Sequence, residues 1–164
     1  MPEGRLLTIY LNDHLAGATA GSALARRALE NNRGTELGTV LERIAREIEE
    51  DRLDLLRTMR LLDVEPGTLK RAVAVAAERI GRLKFNGRLT GYSPLSRVVE
   101  IEGLIMGIEG KKNLWLNLRD GAELGERLGG VDLDRLIERA ERQQADLAAH
   151  RAAAGRDAFV REHD

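Results

Sequence analysis

The stretch "VVEIEGLIMGIEGKKNLWLNL", residues 98–118, decides how the rest of the chain is read. Apolar residues recur there at helical rather than alternating spacing, without a proline, so the stretch predicts one long helix. At 100° per residue, Glu102 and Glu109 differ by about 20° and fall among Leu95, Val98, Ile105 and Met106. Two carboxylates on an apolar stripe require cations or hydrogen-bond donors from a facing element, because an unpaired buried charge is costly. Glu100 points off that stripe and reads as solvated, as does Glu50 on an earlier helix. Gly103, Gly107 and Gly110 share one flank, and Gly17 and Gly21 stand four apart upstream. Such small residues are expected to let helix backbones approach closely. Leu104, Ile108 and Trp115 lie opposite the predicted core face. They form a second apolar side for another helix, or a second copy of the chain, to bury.

Working outward, the same periodicity predicts four more helices and almost no strand. Helix one runs from about Arg5 to Asn31 and ends at "NNRGT", where Gly34 suits a left-handed turn. Thr35 is the expected N-cap of helix two, which reaches about Asp63. Pro66 stops that helix and fits the first turn of helix three, residues 66–85. Ser93 and Pro94 read as N-cap and first residue of helix four, which reaches about Leu118. A glycine-rich stretch, residues 120–130, leaves room for one short helix before Asp132 caps helix five, residues 132–154. The tail from about residue 156 is expected to fray. The 164 residues are enough for a single domain, 1–164, read as an all-α, up-and-down bundle of four long helices and a shorter crossover helix.

Composition narrows the function. A net charge of −1 gives no global field for nucleic acid, so a nucleic-acid partner is not expected. The absence of cysteine removes thiolate chemistry and sulfur-ligated zinc. No apolar run reaches the roughly 18 residues of a membrane span, and "MPEGRLLTIYLNDHLAG" lacks a secretory core, so a cytoplasmic protein without a membrane partner is expected. No Ser-His-Asp pattern, phosphate-cradling glycine loop or zinc spacing occurs.

Polar residues inside the predicted stripes are the candidate site. Helix three is clean: Leu69, Ala72, Val73, Ala76, Ile80 and Leu83 share a face without a charge. Helix one places His14 among Leu7, Leu11, Ala18 and Ala25. Helix two places Asp51 among Leu37, Leu41, Ile44, Ile48, Leu55 and Met59, with Glu47 at the edge. Helix five places Gln144 and Arg151 with Leu133, Ile137, Ala140 and Leu147. Counting from the turn near residues 32 and 33, His14 and Asp51 are equidistant and are expected side by side. A similar count across helices four and five places Gln144 between Glu102 and Glu109.

Two long helices, a crossover and two more, with acids and a histidine pointing inward, resemble the ferritin-like superfamily. Its di-iron members use a lone Glu on two helices and Glu-x-x-His on the other two. On that resemblance Glu102 or Glu109 matches a lone acid and Glu47 opens the helix-two motif, with Glu50 where His would stand. Glu141 and Gln144 echo the other motif without its His, and His14 occupies the remaining acid position. The resemblance therefore implies an alternative: a metal-binding protein or oxidoreductase in which His14, Glu47, Asp51, Glu102 and Glu109 hold iron or manganese. The leading reading is a non-catalytic bundle without cofactor. In it His14, Asp51, Glu102, Glu109, Gln144 and Arg151 form a buried polar network, with Arg151 paired to Glu102 or Glu109 and His14 to Asp51. A third reading is an interaction or regulatory module. It uses Arg79, Arg82, Lys84, Arg88 and Arg97 as an anion-binding segment at the start of helix four.

Overall fold

The computed structural model describes residues 4–68, 74, 78 and 91–160. Five helices are described: α1 (Gly4–Asn31), α2 (Glu36–Leu61), α3 (Pro94–Asp120), α4 (Ala122–Arg127) and α5 (Leu133–Val160). There is no strand among the described residues, and none of the helices is long and apolar enough to cross a membrane.

The helix ends follow their local chemistry. Gly34 takes φ 76°, and Thr35 caps α2 by accepting from the Gly38 N–H at 3.0 Å. Ser93 caps α3, accepting from the Ser96 N–H at 3.1 Å, while the Ser96 hydroxyl accepts from the Ser93 N–H and Pro94 fills the first turn. The short helix allowed for in 120–130 is α4. At the end of α2, Asp63 adopts φ 54°; its N–H bonds the Arg60 carbonyl, and the Val64 N–H bonds the Met59 carbonyl at 2.9 Å. This is the double hydrogen bond of a Schellman ending, with Val64 and Met59 both buried in one cluster.

Two expected boundaries move. Residues 66–68 are not helical, so a helix does not begin at Pro66; the Gly67 N–H instead bonds the Asn12 side-chain oxygen on α1. Most of the expected helix three, residues 66–85, lies outside the described residues, as do Arg79, Arg82, Lys84 and Arg88. The helix expected to end near 154 continues to Val160. Alanines at 152–154 and 158 favour the helix, and Ala154 and Ala158 pack on the core, so burial holds what sequence position alone suggested would fray. Residues 161–164 lie outside the description.

Contacts fix the chain directions. α1 and α2 turn back on each other through residues 32–35. α3 runs against α1, with Arg27 on Glu100 at one end and the Asn117 amide on the Tyr10 hydroxyl at the other. α5 runs against both α2 and α3: Arg43 meets Asp146, Arg135 meets Asp54, and Gln144 meets Glu109. Two apolar clusters fill the interior. One, nearer the α1–α2 turn, contains Leu24, Leu41, Ile44, Ile48, Ile101, Ile108 and Leu147. The other contains Leu11, Leu55, Met59, Leu114, Trp115 and Leu136.

The largest departure is the rotation of α3. Its buried face is Val98, Glu100, Ile101, Leu104, Ile108, Leu114, Trp115 and Leu118, while Met106 is 69 % exposed. Apolar residues surround this helix, so periodicity alone does not select a face. The bulk of Leu104, Ile108 and Trp115 makes the supposed second side the core side. Glu102 accordingly faces solvent, and Glu100, read as solvated, is 1 % exposed.

Glu100 joins a polar cluster at the turn end. Its Oε1 accepts from Arg27 at 2.9 Å and from the Asn31 amide at 3.1 Å, and burial raises its pKa. Next to it Asn32 donates to the Tyr92 hydroxyl at 3.0 Å and accepts from Arg97 at 2.9 Å, and Arg97 also sits 5.8 Å from the Tyr92 ring centroid. The Tyr92 phenol is pushed up to about 12, chiefly by burial. A folded-state pKa above the unfolded value means this contribution to stability is complete below about pH 10 and is lost as pH rises through the folded value. A Tyr10→Phe variant leaves Tyr92 as the only tyrosine. Its phenolate absorbance is expected to develop near pH 12 when folded and near 10 when denatured. A folded titration at the denatured value would contradict this burial.

Candidate functional site: a buried ion layer

The polar layer lies where the two apolar clusters meet. Along α2, Asp51 stands between Ile48 of one cluster and Leu55 of the other. Along α3, Lys111 stands between Ile108 and Leu114 in the same way. From α5, Arg139 and Gln143 enter the gap. Each of these side chains interrupts an apolar stripe once, at the same level.

Asp51, 2 % exposed, is the centre. Its Oδ2 accepts from Lys111 Nζ, and its Oδ1 accepts from Arg139 Nη1 at 3.0 Å. Lys111 donates a second hydrogen bond to Gln143 Oε1 at 2.7 Å, and Gln143 Nε2 donates to Glu47 Oε2 at 2.9 Å. Glu47 also pairs with Arg43 at 3.3 Å, and Arg139 reaches Glu50 at 3.0 Å. The chain of contacts runs from solvent-edge charges on α2 and α5 inward to a cation on α3. Burial pushes the Asp51 carboxyl up and the Lys111 ammonium down, while the charge of each opposes the shift of the other. The layer is thus costly to desolvate and held by mutual pairing.

Its chemistry is self-contained. Both Asp51 oxygens are occupied by protein cations, and the Gln143 amide spends its oxygen on Lys111 and its nitrogen on Glu47. A cation approaching either Asp51 oxygen would have to displace Lys111 or Arg139 and would meet their repulsion.

The sequence-predicted residues separate. Asp51 and Glu47 belong to the layer, but Glu102 is exposed on the far side of α3. Glu109 lies at the edge, pairing with Lys112 at 2.9 Å and accepting from Gln144 at 2.7 Å; this last contact matches the level count. The Gln144 and Lys112 contacts hold the Glu109 carboxyl below its ordinary value. Arg151 is exposed rather than paired with either acid. His14 is half-buried with its ring 4.5 Å from that of Tyr10, edge-on, and burial lowers its pKa. Asp51 takes its cations from α3 and α5 instead. The proposed metal ligands His14, Glu47, Asp51, Glu102 and Glu109 therefore do not form one donor set. Among the described residues no three His, Asp or Glu side chains are grouped to hold a metal.

Lys111, Arg139 and Gln143 were absent from the sequence reading, yet a signal existed. On the Leu104–Ile108–Trp115 side of α3, Lys111 is the polar intruder, about 20° from Leu104. On α5, Gln143 stands between Leu136 and Leu147 on their common face, and Arg139 flanks it.

Compared with protein-family models, curated proteins and solved structures, the chain matches none.

Proposed function

We propose that this protein is a non-catalytic helical bundle of ferritin-like, up-and-down topology, whose ion layer sets helix register and pairing instead of performing chemistry. Two antiparallel pairs joined by the long connection between α2 and α3 support the topology. The observation that carries the functional reading is Asp51 held between Lys111 and Arg139. A layer whose acids are neutralised by the protein's own cations has no role for iron or manganese. It does distinguish helix registers: a shift of α3 or α5 by one residue turns Lys111 or Gln143 out of the gap.

Thermal unfolding of protein purified without a histidine tag tests this. Iron(II) or manganese(II), added in turn and then chelated, is expected to leave Tm unchanged. Saturating metal binding at 100 times Kd would instead stabilise by about 2.7 kcal/mol. A metal-induced rise in Tm, reversed by chelator and abolished by Asp51→Asn, would overturn the proposal.

A further inference from the structure

Asp51 and Lys111 of the ion layer also form part of the wall of a cavity. It lies between α1 and α3 and has a volume of about 580 Å³, within the range of small-molecule pockets. Its wall is mostly apolar and includes Leu24, Ile48, Leu55, Leu104 and Ile108. Gly21 and Gly110 line it too, and a Cβ built on either meets no atom of the described residues within 4 Å. At these two positions the glycines leave room between the helices instead of drawing the backbones into contact.

The buried charges on the wall are already paired. Asp51 is held by Lys111 and Arg139, Lys111 also by Gln143, and Arg52 by Glu49 at 2.7 Å. Asp13 is exposed, where salt and water screen it. A charged ligand would lose its hydration without gaining a free buried counter-charge. His14 differs. It lines the cavity half-buried and makes no hydrogen bond among the described residues. Burial lowers its pKa and so favours the neutral imidazole, in which one ring nitrogen donates and the other accepts.

We propose that this cavity binds an uncharged, largely apolar small molecule carrying a hydroxyl group that hydrogen-bonds to His14. Apolar burial supplies the affinity and the hydroxyl sets the orientation. This goes beyond the register role of the ion layer, which enters only as a wall whose charges are neutralised.

Titration of the full chain with N-phenyl-1-naphthylamine, an uncharged dye that fluoresces in apolar surroundings, tests the site. The expected result is saturable binding, displaced by 1-octanol and at least about tenfold more weakly by octanoate or octylammonium. Gly21→Leu and Gly110→Leu should each weaken dye binding about tenfold or more by filling the space. Leucine favours a helix over glycine, so circular dichroism should show both variants folded. His14→Phe should leave dye binding within about twofold and weaken octanol displacement about tenfold, the loss of one hydrogen bond. Absent or unsaturable dye binding would overturn the proposal. So would equal displacement by octanoate and octanol, dye binding indifferent to both leucine variants, or octanol displacement unchanged in His14→Phe. None of these variants alters Asp51, Lys111, Arg139 or Gln143, so failure here is distinct from failure of the register role.

Discussion

Replacing Asp51 by Ala is expected to lower the unfolding free energy by about 3–5 kcal/mol, because it strands the buried Lys111 ammonium and leaves Arg139 with Glu50 alone. Lys111 and Arg139 have side chains only 14 % and 10 % exposed, and Asp51 is the carboxylate they share. Lys111 would keep a single neutral acceptor, Gln143, and the low dielectric that strengthens the native pair would then penalise the unpaired ammonium. Glu102→Ala, from the exposed side of α3, should stay within about 0.5 kcal/mol. Urea unfolding of the two variants checks the contrast. Equal midpoints would mean that the layer is not buried as described.

Trp115→Ala should cost a similar amount, about 3–5 kcal/mol, for a different reason. Its side chain is 0 % exposed and packs in the cluster with Leu11, Leu55, Met59 and Leu136, so truncation removes transfer free energy and leaves a void. Among the described residues the buried indole Nε1 has no hydrogen-bond partner, which makes Trp115→Phe informative. Phe keeps most of the apolar volume and deletes the unsatisfied donor, so its cost should be well below that of Ala. Denaturant midpoints ranking Phe with Ala would show that Nε1 has a partner.

How much of this was legible in the sequence depends on how strongly each segment is patterned. The ends of α2 and α3 were readable because Gly34, Thr35, Ser93 and Pro94 act through local hydrogen bonds and φ preferences that need no tertiary information. Asp51 was readable because α2 has one apolar stripe, and a lone acid within it must be buried. The face of α3 was not, because Val98, Ile101, Leu104, Ile105, Met106 and Ile108 surround the helix. On such a helix the choice belongs to the partners. Lys111 reaches Asp51 only when Glu102 faces outward, so the ion layer and the rotation of α3 determine each other. The same rotation carries Glu100 inward to Arg27 and leaves Arg151 of α5 without the acid expected for it. His14 is expected beside Asp51 because two-helix counting does not include the cations that arrive from α3 and α5 and occupy both Asp51 oxygens.

The central claim, that the layer sets register and does no chemistry, is tested most directly by removing it whole. The variant Asp51→Leu/Lys111→Met/Arg139→Met/Gln143→Leu replaces all four inner groups by apolar side chains of comparable size. Glu47 keeps Arg43, and Glu50 is half exposed, so no buried charge is stranded. Replacing a buried ionic set with well-packed apolar residues is typically neutral or stabilising by about 1–4 kcal/mol. Urea unfolding followed by circular dichroism is therefore expected to show a helical protein at least as stable as the wild type, in contrast to the single Asp51→Ala change. A quadruple variant destabilised as much as Asp51→Ala would contradict the account.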